Sequence, residues 1–162
     1  MNTKFLCVMA GYDEATERYL AGLQQKLYDM GYIGKHTKNL PQHITLGTFE
    51  VEREEEIKEL VRKVSQGMEA FPITFNHIGI FGGAKVLFVA PDSNQSLLKL
   101  KQNFGDSDDW TPHTTMLIDQ PIRIYEALPV VMEEFVAFEG KITSLHLYEF
   151  WPTRFISVEQ LI

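Results

Sequence analysis

Pro41-Gln42-His43-Ile44-Thr45-Leu46 returns later in the chain as Thr111-Pro112-His113-Thr114-Thr115-Met116. Each copy reads His-x-Thr-hydrophobic. Side chains alternate between the two faces of a strand. His43 and Thr45 therefore share one face, with Ile44 and Leu46 on the other. His113 and Thr115 repeat the arrangement, with Thr114 and Met116 behind them. Each strand sets an imidazole and a hydroxyl side by side, and two such strands face to face would enclose a small, symmetric polar site.

The flanking sequence predicts a mixed α+β fold. Lys4 to Ala10 reads as a buried first strand rather than a signal peptide, because no small-residue cleavage site follows it. Gly11-Tyr12 reads as a turn and Asp13 as a helix cap. Leu20, Leu23, Leu27 and Met30 recur on one helical face, which Gly31 ends. Gly31 to Leu40 is a loop, and His43 to Val51 a strand. A helix follows from Glu52, with Ile57, Leu60, Val61 and Val64 inward. Its leading glutamates suit the positive end of the helix and read as a solvated face rather than a metal site. Phe71–Phe81 and Lys85–Ala90 form a hairpin about Gly82-Gly83-Ala84. Pro91-Asp92-Ser93 caps a helix carrying Leu97, Leu100 and Phe104. Beyond the second motif strand, Pro121 to Phe135 is helical, with a kink or a split expected at Pro129. Gly140–Phe150 and Thr153–Val158 make a last hairpin about Trp151-Pro152.

This order looks duplicated. His43 precedes Phe81 by 38 residues and His113 precedes Tyr148 by 35; His43 precedes Lys85 by 42 and His113 precedes Arg154 by 41. Two chance His-x-Thr triplets would not carry matching hairpins at matching distances. With 162 residues, 44% hydrophobic and 23% charged, the chain reads as one domain, 1–162, built from two lobes. Fifteen basic against 22 acidic residues, a net charge of -7, argue against an extended nucleic-acid surface but not against one nucleotide in a pocket. No apolar run reaches membrane-spanning length. The single cysteine, Cys7, forms no internal disulfide, which fits a cytoplasmic protein; a monomer is expected.

Histidine titrates near neutral pH, so one ring can take a proton while the other gives one. Threonine hydroxyls can donate to the non-bridging oxygens of a phosphate. The set suits phosphodiester cleavage with no metal and no cofactor. No phosphate-binding glycine loop follows Gly82-Gly83, and no nucleophile-elbow motif is present.

His43-Ile44-Thr45-Leu46 and His113-Thr114-Thr115-Met116, each closely preceded by proline, resemble the paired motifs of the two-histidine (2H) phosphoesterase superfamily. That group includes bacterial 2′-5′ RNA ligase-like proteins and cyclic nucleotide phosphodiesterases. The resemblance implies a bilobal fold with pseudo-twofold symmetry, two antiparallel sheets facing a central groove and helices outside. It implies catalysis by His43 and His113, with Thr45 and Thr115 binding a 2′,3′-cyclic phosphate, a 2′-5′ linked nucleotide or an RNA end. Which histidine is acid and which is base stays open. The alternatives are a non-catalytic nucleotide- or RNA-end-binding module and a reversible 2′-5′ ligase.

Strand parity turns His77, Phe81, His146 and Tyr148 toward the groove, where Phe81 and Tyr148 would flank a base. Lys85 and Arg154 would lend it positive charge. Tyr12 and Trp110 are candidates for its rim, and His36 reads as surface.

Overall fold

The computed structural model describes residues 3–162. The first strand, β1 (Phe5–Tyr12), alternates cleanly. Leu6, Val8, Ala10 and Tyr12 enter the main core, while Cys7 and Met9 lie on the opposite face with Tyr148 and Phe150. The strand thus runs through the expected turn at Gly11-Tyr12, because the buried Tyr12 ring continues the inward row. Asp13 then caps α1 (Glu14–Asp29), its carboxylate accepting from the Thr16 N–H at 3.2 Å. Leu20, Leu23 and Leu27 are buried, each contributing about 1.5–3 kcal/mol by leaving water. Met30 ends the helix instead of extending that stripe and is exposed; Gly31, at φ 89°, turns the chain away.

The remaining elements are β2 (His43–Glu50), α2 (Glu54–Gln66) after a single 3-10 turn, β3 (Phe71–Ile80), β4 (Val86–Pro91), α3 (Gln95–Gln102), β5 (Thr114–Ile118), α4 (Pro121–Glu134), β6 (Phe138–Phe150) and β7 (Arg154–Gln160). Two local expectations are corrected. The cap of α3 is Asn94, whose side chain accepts from the Leu97 N–H, because β4 itself extends to Pro91. α4 passes unbroken through Pro129. Pro129 and Tyr125 both lie on its exposed side, where water can serve the carbonyl that proline leaves without a partner.

The chain is β-α-β-α-β twice over, with β7 added. All strand pairs are antiparallel, in the order β2-β1-β6-β3-β4-β5, with β7 on β6. The third strand of each repeat crosses over: β6 completes the half built on β1 and β2, and β3 the half built on β4 and β5. β3 and β6 then pair with each other from Phe71–Phe75 to Phe138–Ile142. The two expected sheets are therefore joined into one seven-stranded sheet. Its helix-covered face carries the main core, and its other face carries the motif histidines.

Candidate active site

β2 and β5 stand at opposite ends of the strand order, yet side chains tie them together. Thr114 donates its hydroxyl to the His43 carbonyl at 2.9 Å. That commits its only proton, so the Tyr12 hydroxyl, 2.6 Å away, donates to Thr114. The Trp110 indole N–H donates to the Thr45 carbonyl at 3.1 Å. Carbonyls on a covered edge strand need such partners. Tyr12 and Trp110 are thus seam ties rather than rim residues. The middle residue of the second motif, Thr114, reaches back to hold the first.

The two motif histidines are held by the same bond. His43 Nδ1 lies 2.7 Å from the Pro41 carbonyl, and His113 Nδ1 lies 2.8 Å from the Thr111 carbonyl. A carbonyl only accepts, so Nδ1 carries the hydrogen in both rings, and in the neutral state Nε2 keeps its lone pair. Burial pushes the His43 pKa down to about 4; the Pro41 carbonyl opposes this, and the nearby His146 and His113 rings add to it. His113 is lowered too, by burial, with the Thr111 carbonyl opposing. Thr45 Oγ1 accepts a long bond from the Cys7 thiol at 3.9 Å. Burial holds that thiol up at about 11, so it is no nucleophile near neutral pH.

A cavity of about 270 Å³ opens along the seam, with His43, Thr45 and Thr115 in its wall. The loop before β2 forms another side, contributing Lys35 and His36. This loop is pinned by the Lys35 N–H on the Ile118 carbonyl and by His36 Nδ1 against the Tyr28 hydroxyl at 2.6 Å. Among the described residues its wall holds no carboxylate, although the chain has 22 acidic residues. Lys35 makes no ion pair among the described residues. The local charge therefore opposes the global one and favours an anion.

The other predicted residues are placed less simply. Phe81 sits edge-on to His113, centroids 4.7 Å apart at 88°, with Phe88 packed on both. Tyr148 is buried, stacked on Phe150 at 6.0 Å. Neither lines the cavity. Lys85 is exposed in the β3–β4 turn, and Arg154 is engaged by Glu54 and Glu149, so neither cation reaches the cavity wall. His77 is exposed, 3.5 Å from Asp92. His146 is half-buried on the groove face, its Nε2 3.0 Å from Ser144 Oγ and its Nδ1 without a partner among the described residues. The loop residues Lys35 and His36 and the aromatics Phe5, Phe150 and Trp151 were not legible as site residues. Their only local signal is position, just before the first motif or at the end of a central strand.

An antiparallel duplicated sheet with one His-x-Thr strand per half fits the two-histidine phosphoesterase superfamily. A family model described as the 2′-5′ RNA ligase superfamily matches residues 13–150, and the chain belongs to that family. Among solved structures it is similar to the apo form of E. coli LigT, with TM-score 0.63, 17% identity and 99% of each chain covered. It is also similar to the TT0787 protein of Thermus thermophilus, with TM-score 0.64, 15% identity and 97% of each chain covered. LigT complexed with 3′-AMP aligns at TM-score 0.60 and 15% identity, again over 99% of each chain. No curated protein sequence matches it.

Proposed function

We propose that the chain is a metal-independent phosphodiesterase acting on 2′,3′-cyclic phosphates or 2′-5′ linked nucleotides, working as a single unit on a small ligand or an RNA end. The observation that carries this reading is the repeated frame, two imidazoles with Nδ1 tied to a carbonyl and Nε2 left for proton transfer. Burial holds His43 neutral, which suits the base. His43 Nε2 takes a proton from water as the water oxygen bonds to phosphorus. His113, as imidazolium, gives its Nε2 proton to the departing ribose oxygen as that P–O bond breaks. A bound phosphodiester anion favours the charged ring it needs. Thr45 and Thr115 donate to the non-bridging oxygens as charge moves onto them. Both proton transfers come from imidazoles, so the chemistry requires no metal. The nucleotides bound by LigT in its 3′-AMP and ATP complexes support this substrate class.

The test is hydrolysis of nucleoside 2′,3′-cyclic phosphates with EDTA present. Activity is expected to persist with chelator and to fall about 10²- to 10⁴-fold in His43→Ala and in His113→Ala. Full activity in either variant would refute the assignment. With a 5′-hydroxyl in place of the water, attacking the phosphorus of a 2′,3′-cyclic phosphate as the P–O3′ bond breaks, the same two proton transfers would join 2′-5′ ends, and the family to which the chain belongs favours assaying this with cleaved RNA halves.

A further inference from the structure

One wall of the cavity takes no part in this chemistry. Phe5 opens β1 and Phe150 closes β6, and the register pairs them directly. Trp151 follows in the turn to β7. Their ring centroids are 5.8 Å apart for Phe5–Phe150, 5.6 Å for Phe5–Trp151 and 4.8 Å for Phe150–Trp151. Phe150 is buried beneath the others, whereas Trp151 is 53% exposed. Single exposed apolar side chains are ordinary. Ile122 and Tyr125 on α4 are examples, and they do not line the cavity. Trp151 differs because it shares the cavity with His43, Thr45 and Thr115. Phe5, edge-on at 74°, and Phe150, tilted at 34°, hold the ring, so its exposed part is offered to a ligand at little further conformational cost.

Among the described residues, the same cavity has Lys35 and no carboxylate in its wall. A ligand that fits must therefore combine a flat, polarisable ring with an anion. We infer that Trp151, backed by Phe5 and Phe150, is the seat of the substrate's nucleobase, with the phosphodiester reaching toward His43 and the threonines. This rests on the proposed reaction for the identity of the anion. It moves the base from the predicted Phe81 and Tyr148, which are packed against His113 and Phe150, to a wall with a free aromatic face. Stacking reads the π-face that every base has. The site therefore discriminates weakly among bases and strongly between a base and none.

The experiment compares a nucleoside 2′,3′-cyclic phosphate with glycerol 1,2-cyclic phosphate, which presents the same reacting group without a base. In Trp151→Ala the ratio of kcat/KM between the two is expected to fall at least about fivefold, chiefly through KM, as the loss of one base–aromatic stack implies. Trp151→Phe should restore most of it. An unchanged ratio in Trp151→Ala overturns the inference. Binding is tested separately by titrating 3′-AMP and following tryptophan fluorescence. Quenching is expected in the wild type and should be lost in Trp151→Phe, where Trp110 alone remains. Quenching without any turnover would keep the base site and defeat the catalytic reading. Turnover of both cyclic phosphates with no quenching would do the reverse.

Discussion

The two His-x-Thr strands are alike in their backbone bonds and unlike in what surrounds them. In the first half, His43 pairs with Gly11, which pairs with Ser144; Thr45 pairs with Met9, which pairs with His146. In the second half, Thr115 pairs with Phe88, which pairs with Gly79. Each half uses a glycine to make room on the groove face. A Cβ at Gly11 would lie 2.5 Å from both His146 Nε2 and Ser144 Oγ, whereas a Cβ at Gly79 would lie 2.2 Å from the Phe88 ring. The first glycine admits polar groups beside His43, and the second admits a phenyl ring against His113. Duplication has kept the frame that orients each proton-transferring nitrogen. The two neighbourhoods have diverged enough to give the rings different acidities.

The largest expected consequence is in acid stability. The folded-state pKa of His43, about 4, lies below the unfolded value near 6.5. Between these values the unfolded chain binds more protons, so stability rises with pH. The contribution is complete above pH 6.5 and is lost as pH falls toward 4, amounting to about 3 kcal/mol at most. Urea unfolding from pH 7 to 4 should show that slope flattened in His43→Gln. His113→Gln should flatten it less, because burial is what lowers both rings and the surroundings of His113 are the more open, its bond to Thr111 being exposed where the His43 bond to Pro41 is partly buried. Equal slopes in both variants would mean that the halves do not differ in this way.

Next come the glycines. Gly11→Ala and Gly79→Ala both overpack a closed contact and should each cost about 1–3 kcal/mol in urea melts. Their side effects should separate. Gly79→Ala must push Phe88 off its place beside His113, opening that ring to water and raising its pKa in an NMR titration. Gly11→Ala should instead disturb His146 and leave the His113 titration where it was. If both variants moved His113 alike, the two neighbourhoods would be coupled rather than separate.

Period-two alternation was enough to find the motif strands and the direction of their four polar side chains, and helical recurrence between the strands completed the doubled βαβαβ order. That pattern is local, and it follows from backbone geometry. The exchange of third strands was not legible, because β3 and β6 pair across a long stretch of chain and no residue in either strand encodes its partner. Arg154 shows the same limit. Its spacing matched Lys85, but its charge is claimed by Glu54, a hundred positions away. The cavity walls were hidden for a related reason. The loop at Lys35 and the turn at Trp151 carry no periodicity, and they meet the motifs only once the sheet has curled. Tyr12 and Trp110 looked like rim aromatics because nothing near them in sequence revealed the Thr114 hydroxyl and the Thr45 carbonyl to which they donate.

The smallest expected effect tests how the halves are joined. Tyr12, Thr114 and the His43 carbonyl form one directed chain of hydrogen bonds, in which Thr114 both accepts and donates. Tyr12→Phe removes the first donor but leaves Thr114 able to serve His43, so it should cost only about 1 kcal/mol. Thr114→Val keeps the shape of the side chain yet strands a buried phenol and a carbonyl together, so the cost should rise to about 1–3 kcal/mol. Once Thr114 is valine the Tyr12 hydroxyl has no partner, and removing it should then cost nothing or recover stability. The double variant should therefore be no less stable than Thr114→Val alone. Additive losses in that double-mutant cycle would show that the two bonds act independently and that the second motif does not hold the first through this chain.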